Sequence, residues 1–196
     1  MALTKTSPDT VNEHSGPGTV AELVKRAADG ERFEYVCFWG HQPRRDGTVG
    51  AERFSQWWPA PFTIDEVAYA TAEHWMMAGK ARLFSDAEAE QRAIGAAHPG
   101  QAKKAGRSVR GCNGAVWHER RFELAVRGSV AEFEQHPALR DYLLGAGTRV
   151  LVETSPVDRV WGIGLAAAGD RTVAPEQWQG LNLLGFALME ARHRLA

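Results

Sequence analysis

The chain has 196 residues, 44% of them hydrophobic and 24% charged, with a formal net charge of −1 at pH 7. That length and ordinary composition fit one soluble globular domain with a real core. The near-zero charge excludes a global basic field that would hold nucleic acid by its phosphates, while leaving room for a local basic patch.

Residues 1–18 are rich in Ser, Thr, Pro and Gly and read as a flexible tail without the apolar stretch of a signal peptide, leaving 19–196 as the domain. AELVKRAADG (21–30) can form a short helix that ends at Gly30. FEYVCFWG (33–40) has the β-branched and aromatic content of a strand and stops at Gly40, before a loop, HQPRRDGTVG. RFSQWW (53–58) and FTIDEVAY (62–69) read as two further short strands. TAEHWMMAGKARLF (71–84) is a helix with Thr71 at its N-cap. SDAEAEQRAIGAA (85–97) opens on a capping-box-like pair, Ser85 and Glu88, and HPGQAKKAGRSV gives a short helix after Pro99. Over 113–135, Val116, Trp117, Phe122, Val126, Val130 and Phe133 recur at helical spacing, a long amphipathic helix that Gly128 weakens only modestly. PALRDYLLGAG runs from a proline at the first helical position to a closing glycine. TRVLVETS (148–155) is the clearest strand, and 180–196 is a final helix with core positions Leu181, Leu184, Leu188 and Leu195. Helix dominates over a few short strands, so the expected fold is a single compact, mainly α-helical α+β domain. No apolar run approaches the roughly 20 residues that span a bilayer. Cys37 and Cys112 form no CxxC pair and suit a reducing cytoplasm.

Four features carry chemistry. In the 71–84 helix, Glu73 and Lys80 fall about 20° apart on the helical wheel, on a face shared with Met76, Met77 and Phe84. An edge ion pair, or a lysine reaching to solvent along its aliphatic stem, is the ordinary explanation. The functional one is a pocket wall that presents an acid and an amine, each tuned toward neutrality by partial burial. The second feature is SPVDRVWGIG (155–164), where Asp158 supplies an acid, Trp161 a stacking face, and Gly162 and Gly164 room for a ligand beside the backbone. A lone Gly-x-Gly also serves ordinary tight turns, and this one is no dinucleotide fingerprint. Third, CFWGHQP and RFSQWW gather Phe38, Trp39 and Gly40 with Ser55 and Gln56, polar groups that need partners if buried. Fourth, Asn182 in GLNLLG is a cap or turn residue, or an amide that fixes a ligand hydroxyl. The histidines form no HxxxH or HxH pair, so no metal site is expected. GxSxG and Walker A patterns are absent too.

Taken in order, FWG, FSQWWPAPFTID, YATAEHWMMAGKARLF, KKAGRSV, VW followed by Arg, LLGAGTRVLVETSPVDRVWGIG and GLNLLGFALMEAR resemble one family. That family is the NADAR family of YbiA-like N-glycosidases, and the resemblance runs from about residue 35 to residue 194. Its specific combination is T-x-E-H with a lysine seven after the glutamate, G-R, a Trp, L-V-E-x-S, D-x-x-W-G-x-G and G-x-N-x-L-G. Asp65-Glu66 stands where Asp-Gly is usual, and the loop 165–177 is this chain's own.

The resemblance implies cleavage of an N-glycosidic bond with no cofactor. Two substrate classes go with it: phosphoribosyl-aminopyrimidine intermediates of riboflavin biosynthesis, and ADP-ribose on the exocyclic amine of guanine in nucleic acid. In both, ribose C1 carries an amine nitrogen that retains a hydrogen, so the furanose can open to an imine on which a lysine amine exchanges for the leaving amine. On this reading Glu73 shuttles the proton, Lys80 is the covalent partner or a cationic stabiliser, and Asp158 orients water. Trp117 and Trp161 flank base or sugar, and Arg107 takes phosphate. His74 of the T-x-E-H motif joins Phe38, Trp39, Gly40, Ser55, Gly162, Gly164 and Asn182 in lining the substrate. The slightly acidic charge favours the small phosphoribosyl substrate. Arg44-Arg45, Lys103-Lys104 and Arg120-Arg121 would make a phosphate-binding rim for nucleic acid. A non-catalytic ADP-ribose reader is the alternative of another class. It would need the aromatic walls but not Glu73 and Lys80.

Overall fold

A continuous apolar run marks a strand covered on both faces. In the computed structural model, which describes residues 16–42, 50–167 and 170–196, β4 (Val150–Glu153) is such a strand, with Val150, Leu151 and Val152 all sealed. It pairs in parallel with β1 (Tyr35–Phe38), Tyr35 opposite Val150 and Phe38 opposite Glu153. The tail over 1–15 and the Arg44-Arg45 pair lie outside the described residues. Between β1 and β4 the chain builds a hairpin, β2 (Phe62–Ile64) with β3 (Val67–Tyr69), then α2 (Ala72–Leu83), α3 (Ala87–Ile94), α4 (Pro99–Arg107), α5 (Gly114–Gln135) and α6 (Pro137–Gly145). The short α1 (Val20–Ala28) precedes β1, and α7 (Leu183–Leu195) closes the fold against β4 and α5. Helix dominates, as the sequence predicts.

The wheel places Glu73 and Lys80 on one apolar face of α2, but α2 has no solvent side over its first two turns. Every residue from Ala72 to Gly79 is buried, because α3, α4 and α5 surround the helix. Two glycines let α5 come close. A Cβ at Gly128 would lie 2.3 Å from Cδ1 of Trp75, and one at Gly79 would lie 2.7 Å from Leu124. The glycine that costs α5 helix propensity is therefore what seats Trp75, whose indole N–H donates to the Leu124 carbonyl at 2.8 Å. Two apolar cores result, one around β1, β4 and α7, the other around α2 and the hairpin. Phe122, Val130 and Trp161 pack against both.

Three local readings change here, and Thr71 keeps its predicted place as the N-cap of α2. RFSQWW is not a strand: Ala51–Phe54 is a 3-10 turn, extended by Ser55 N–H to Glu52 O and Trp58 N–H to Ser55 O. The turn buries Phe54, Gln56 and Trp58, and the Gln56 carbonyl accepts the Glu73 N–H, covering a donor at the start of α2. Thr71 holds the N-cap backbone position, but its hydroxyl turns to His74 instead. The cap of α3 is Asp86, which accepts from Ala89 N–H, and not Ser85. The last helix begins at Leu183, and Leu181 is exposed, outside the core.

FTIDEVAY is a hairpin rather than one strand. Asp65 and Glu66 both have positive φ, 49° and 66°, the conformation of a two-residue type I′ turn. An L-residue in that region costs about 1 kcal/mol or more. Glu66→Gly is therefore expected to raise the melting temperature by roughly 2–4 °C, as about 1 kcal/mol does at this size. A drop on calorimetry would mean that the Glu66 side chain, not its backbone, matters to the turn.

Candidate functional site

Three carboxyl groups converge at the C-terminal end of β4. Glu153 ends the strand, its N–H donating to Asn182 Oδ1 at 3.0 Å and its carbonyl accepting from Ile163 N–H at 2.9 Å. Its Oε2 is sealed and has no hydrogen-bond partner. Glu73, in the first turn of α2, accepts from the Trp57 indole N–H at 3.2 Å through Oε2, while its Oε1 is likewise sealed and unpartnered. Asp158 is locked by its loop: Oδ1 accepts from Val160 N–H at 2.9 Å and Trp161 N–H at 2.8 Å, and its own N–H donates to Ser155 Oγ.

The charges act on one another. Burial pushes the Glu73 carboxyl up; Lys103 and the Trp57 N–H pull it down, Asp158 pushes it up, and Arg107 pulls it down. Burial lifts Glu153 to about 8, helped by Asp158 and Glu73 and opposed by Lys103. Lys103 is thus the shared cation, its Nζ 5.9 Å from the centre of the Trp57 ring, with His41 and His98 against the same indole. Lys80 does not pair with Glu73. Among the described residues no ion pair joins them, and the Lys80 ammonium lies 5.4 Å over the Trp117 ring. One helical turn beyond Trp117, Arg121 is buried and feels the charge of Asp158.

The structure uses several sequence candidates inside the fold. His74 Nε2–H donates to the Ala96 carbonyl at 3.0 Å, which leaves Nδ1 to accept from the Thr71 hydroxyl at 2.8 Å, so both ring nitrogens are spent. Asn182 spends its amide on β4, accepting from Glu153 N–H and donating to the Leu151 carbonyl. Phe38 is core, against Phe54. Trp39 is 63% exposed, and Gly40 turns with φ 78°. Ser55 Oγ accepts from Trp57 N–H. Gly162 serves packing, since a Cβ there would lie 2.7 Å from the Glu153 carbonyl; one at Gly164 would lie 3.0 Å from Arg159 Cγ. Arg107 is exposed near Glu73. Glu73, Asp158 and Arg107 share one field, Trp161 is tied to Asp158, and Lys80 with Trp117 forms a separate pair. Among the described residues, no three His, Cys, Asp or Glu side chains are grouped to hold a metal, and no helix is long and apolar enough to cross a membrane.

The family model described as the NADAR domain matches residues 37–196. The chain belongs to the NADAR family. Within it, this chain is similar to N-glycosidase R617 of Acanthamoeba polyphaga mimivirus, 36% identical over 167 residues, which are 83% of this chain and 96% of that one. It is 29% identical to N-glycosidase YbiA of Escherichia coli (strain K12) over 143 residues, 73% of this chain and 79% of YbiA. The NMR structure of E. coli YbiA matches with a TM-score of 0.65 at 25% identity, over 84% of this chain and 86% of that one. The mainly helical α+β fold is therefore the NADAR fold.

Reading this NADAR domain by sequence alone missed Glu153 and Trp57 as site residues and gave Lys103 and Arg121 only to a phosphate-binding rim. A signal was present for Glu153: a carboxylate closing the apolar run of TRVLVETS has no exposed strand face to occupy.

Its raised carboxyls also set a stability profile. Glu73, Glu153 and the fully sealed Glu132 hold protons more tightly folded than unfolded. The folded state binds more protons, so stability falls as pH rises above the ordinary glutamate value of about 4.3. The Glu153 share is lost as pH passes about 8. Glu153→Gln is expected to flatten the decline in melting temperature between about pH 5 and pH 8. An unchanged slope in thermal melts would remove Glu153 from the buried cluster.

Proposed function

We propose that this chain hydrolyses the C–N bond between ribose C1 and an exocyclic amine, with phosphoribosyl-aminopyrimidine intermediates of riboflavin biosynthesis as its substrates. The class rests on its relatives: R617 and YbiA carry the name N-glycosidase, a hydrolase acting on N-glycosyl compounds. The observation that carries the site is the pair of sealed, unpartnered carboxyl oxygens on Glu73 and Glu153 in one electrostatic cluster.

Hydrolysis places the water oxygen on C1 and a proton on the departing amine. Two buried carboxyls, both lifted toward neutral pH, suit those two transfers. Glu153 keeps its proton to about pH 8 and gives it to the leaving amine. Glu73, whose carboxyl burial holds above the ordinary glutamate value while Lys103 and the Trp57 N–H pull it back down, exchanges the second proton by taking it from water. Asp158 holds the loop that carries Trp161, a stacking face beside the cluster. A mere ADP-ribose reader would have no use for two buried acids on one side of its ligand.

Incubation with the reduced riboflavin intermediate, with a parallel reaction on ADP-ribosyl-guanine in DNA, should release ribose 5-phosphate from the first. Release from neither would sink the enzymatic reading, and tight ADP-ribose binding without turnover would establish the reader. Faster turnover of modified DNA, with a steep fall in rate as salt rises, would transfer the substrate assignment to nucleic acid. Exposed Lys104, Arg107 and Arg120 would supply the rim for that outcome.

A further inference from the structure

Arg121 is the one buried arginine among the described residues, 7% exposed. Of the less buried arginines, Arg82 donates to the Tyr69 hydroxyl, Arg140 to the Leu195 carbonyl, Arg149 to the Ala146 carbonyl and Arg192 to the Arg149 carbonyl, while Arg53, whose Nε is also unpartnered, lies over the Trp58 ring 5.0 Å from its centre. Among the described residues Arg121 makes no hydrogen bond and no ion pair, and its Nε is sealed. A guanidinium cannot escape by shedding its proton, so a buried, unpaired one is a standing cost to the fold unless an outside anion completes it.

The position says where such an anion would lie. Arg121 follows Trp117 by four residues and so shares its face of α5, and the Lys80 ammonium rests on that same Trp117 ring. Asp158, which acts on both Glu73 and Glu153, also acts on Arg121. Asp158 is no substitute partner, because it forms no ion pair with Arg121 and its Oδ1 is committed to two backbone N–H groups. The planar fork of an arginine fits two phosphate oxygens at once. Arg107, the phosphate residue the sequence suggests, is exposed and open to screening by salt.

We infer that Arg121 is the phosphate-recognition residue of this site, gripping a phosphate borne by the ribose of the substrate. The inference takes from the N-glycosidase reading only the sugar to which the phosphate is attached. A ribose 5-phosphate monoester and the diphosphate of ADP-ribose share the chemistry it needs.

Calorimetric titration of the unliganded protein with ribose, ribose 5-phosphate and ADP-ribose tests it without turnover. Arg121→Gln should weaken ribose 5-phosphate by roughly 30-fold or more, as loss of a charge-assisted fork does, and leave ribose unchanged. Arg121→Lys should restore part of the affinity, and Arg107→Gln should change it less than about threefold. Weakening confined to ADP-ribose would support the same residue with the diphosphate as occupant. The unliganded Arg121→Gln protein should melt no lower than wild type, since an uncompensated buried charge has gone. Equal weakening for ribose and ribose 5-phosphate, a lowered melt, or wild-type protein that binds neither phosphate would overturn the inference. Phosphate binding that depends on Arg121 in a protein that cleaves no N-glycoside would leave it standing and remove the N-glycosidase reading instead.

Discussion

Glu73→Gln is expected to lower kcat by about 100-fold or more while the protein still binds its ligand, the usual scale for a positioned acid–base group. Burial already favours the uncharged form of this carboxyl, and glutamine reproduces that form in shape and charge. Its amide oxygen can keep accepting from the Trp57 indole, the one bond Glu73 makes through its side chain. The backbone bond from residue 73 to the Gln56 carbonyl does not involve the side chain at all. The substitution therefore removes proton exchange and little else. Release of ribose 5-phosphate measures the rate, calorimetry with ribose 5-phosphate the binding, and a thermal melt at pH 7 the fold. A variant within tenfold of the wild-type rate, folded and binding, would reduce Glu73 to a buried group that positions Trp57.

The elements were legible where local chemistry decides them. The β4 run has no polar alternation and reads as a strand covered on both faces, and Pro137 opens α6 while Gly147, at φ 60°, turns the chain just beyond it. The hairpin was hidden because Asp65-Glu66 adopts a turn conformation that glycine usually signals. RFSQWW was misread because aromatic content marks burial rather than strand, and a 3-10 turn buries Phe54 and Trp58 as well as a strand would. The site was legible in its motifs and obscure in its pairings. A helical wheel sets Glu73 beside Lys80, but the cation that acts most on Glu73 is Lys103 of α4, thirty positions along the chain, since the packing of α4 on α2 decides it. Asn182 and His74 look like ligand groups because both are polar within apolar stretches. They are buried polar groups with their bonds completed by backbone, which no single stretch of sequence reveals.

Lys80→Ala should abolish turnover and leave the fold intact. The side chain is half-buried at the end of α2, and what it touches is the Trp117 face, at 5.4 Å from ring centre to ammonium. A cation–ring contact of that kind stabilises by about 1 kcal/mol, so the alanine variant should melt within a few degrees of wild type. Among the described residues no carboxylate pairs with the ammonium, so no salt bridge there has to break before the amine meets a sugar carbon. In the imine route the Lys80 nitrogen bonds to C1 as the C1–amine bond breaks, and water then returns the lysine and leaves the free sugar. Borohydride added during turnover should reduce that imine and fix a sugar mass on Lys80, readable by peptide mass spectrometry. Lys80→Arg separates the chemistry from the charge: it keeps a cation on Trp117 but forms no imine, so it should be as inactive as the alanine variant. Partial activity in the arginine variant, with no trapped adduct in wild type, would favour an oxocarbenium route in which Lys80 only stabilises charge. Near wild-type turnover by Lys80→Ala would leave this lysine as no more than a cap on the Trp117 ring.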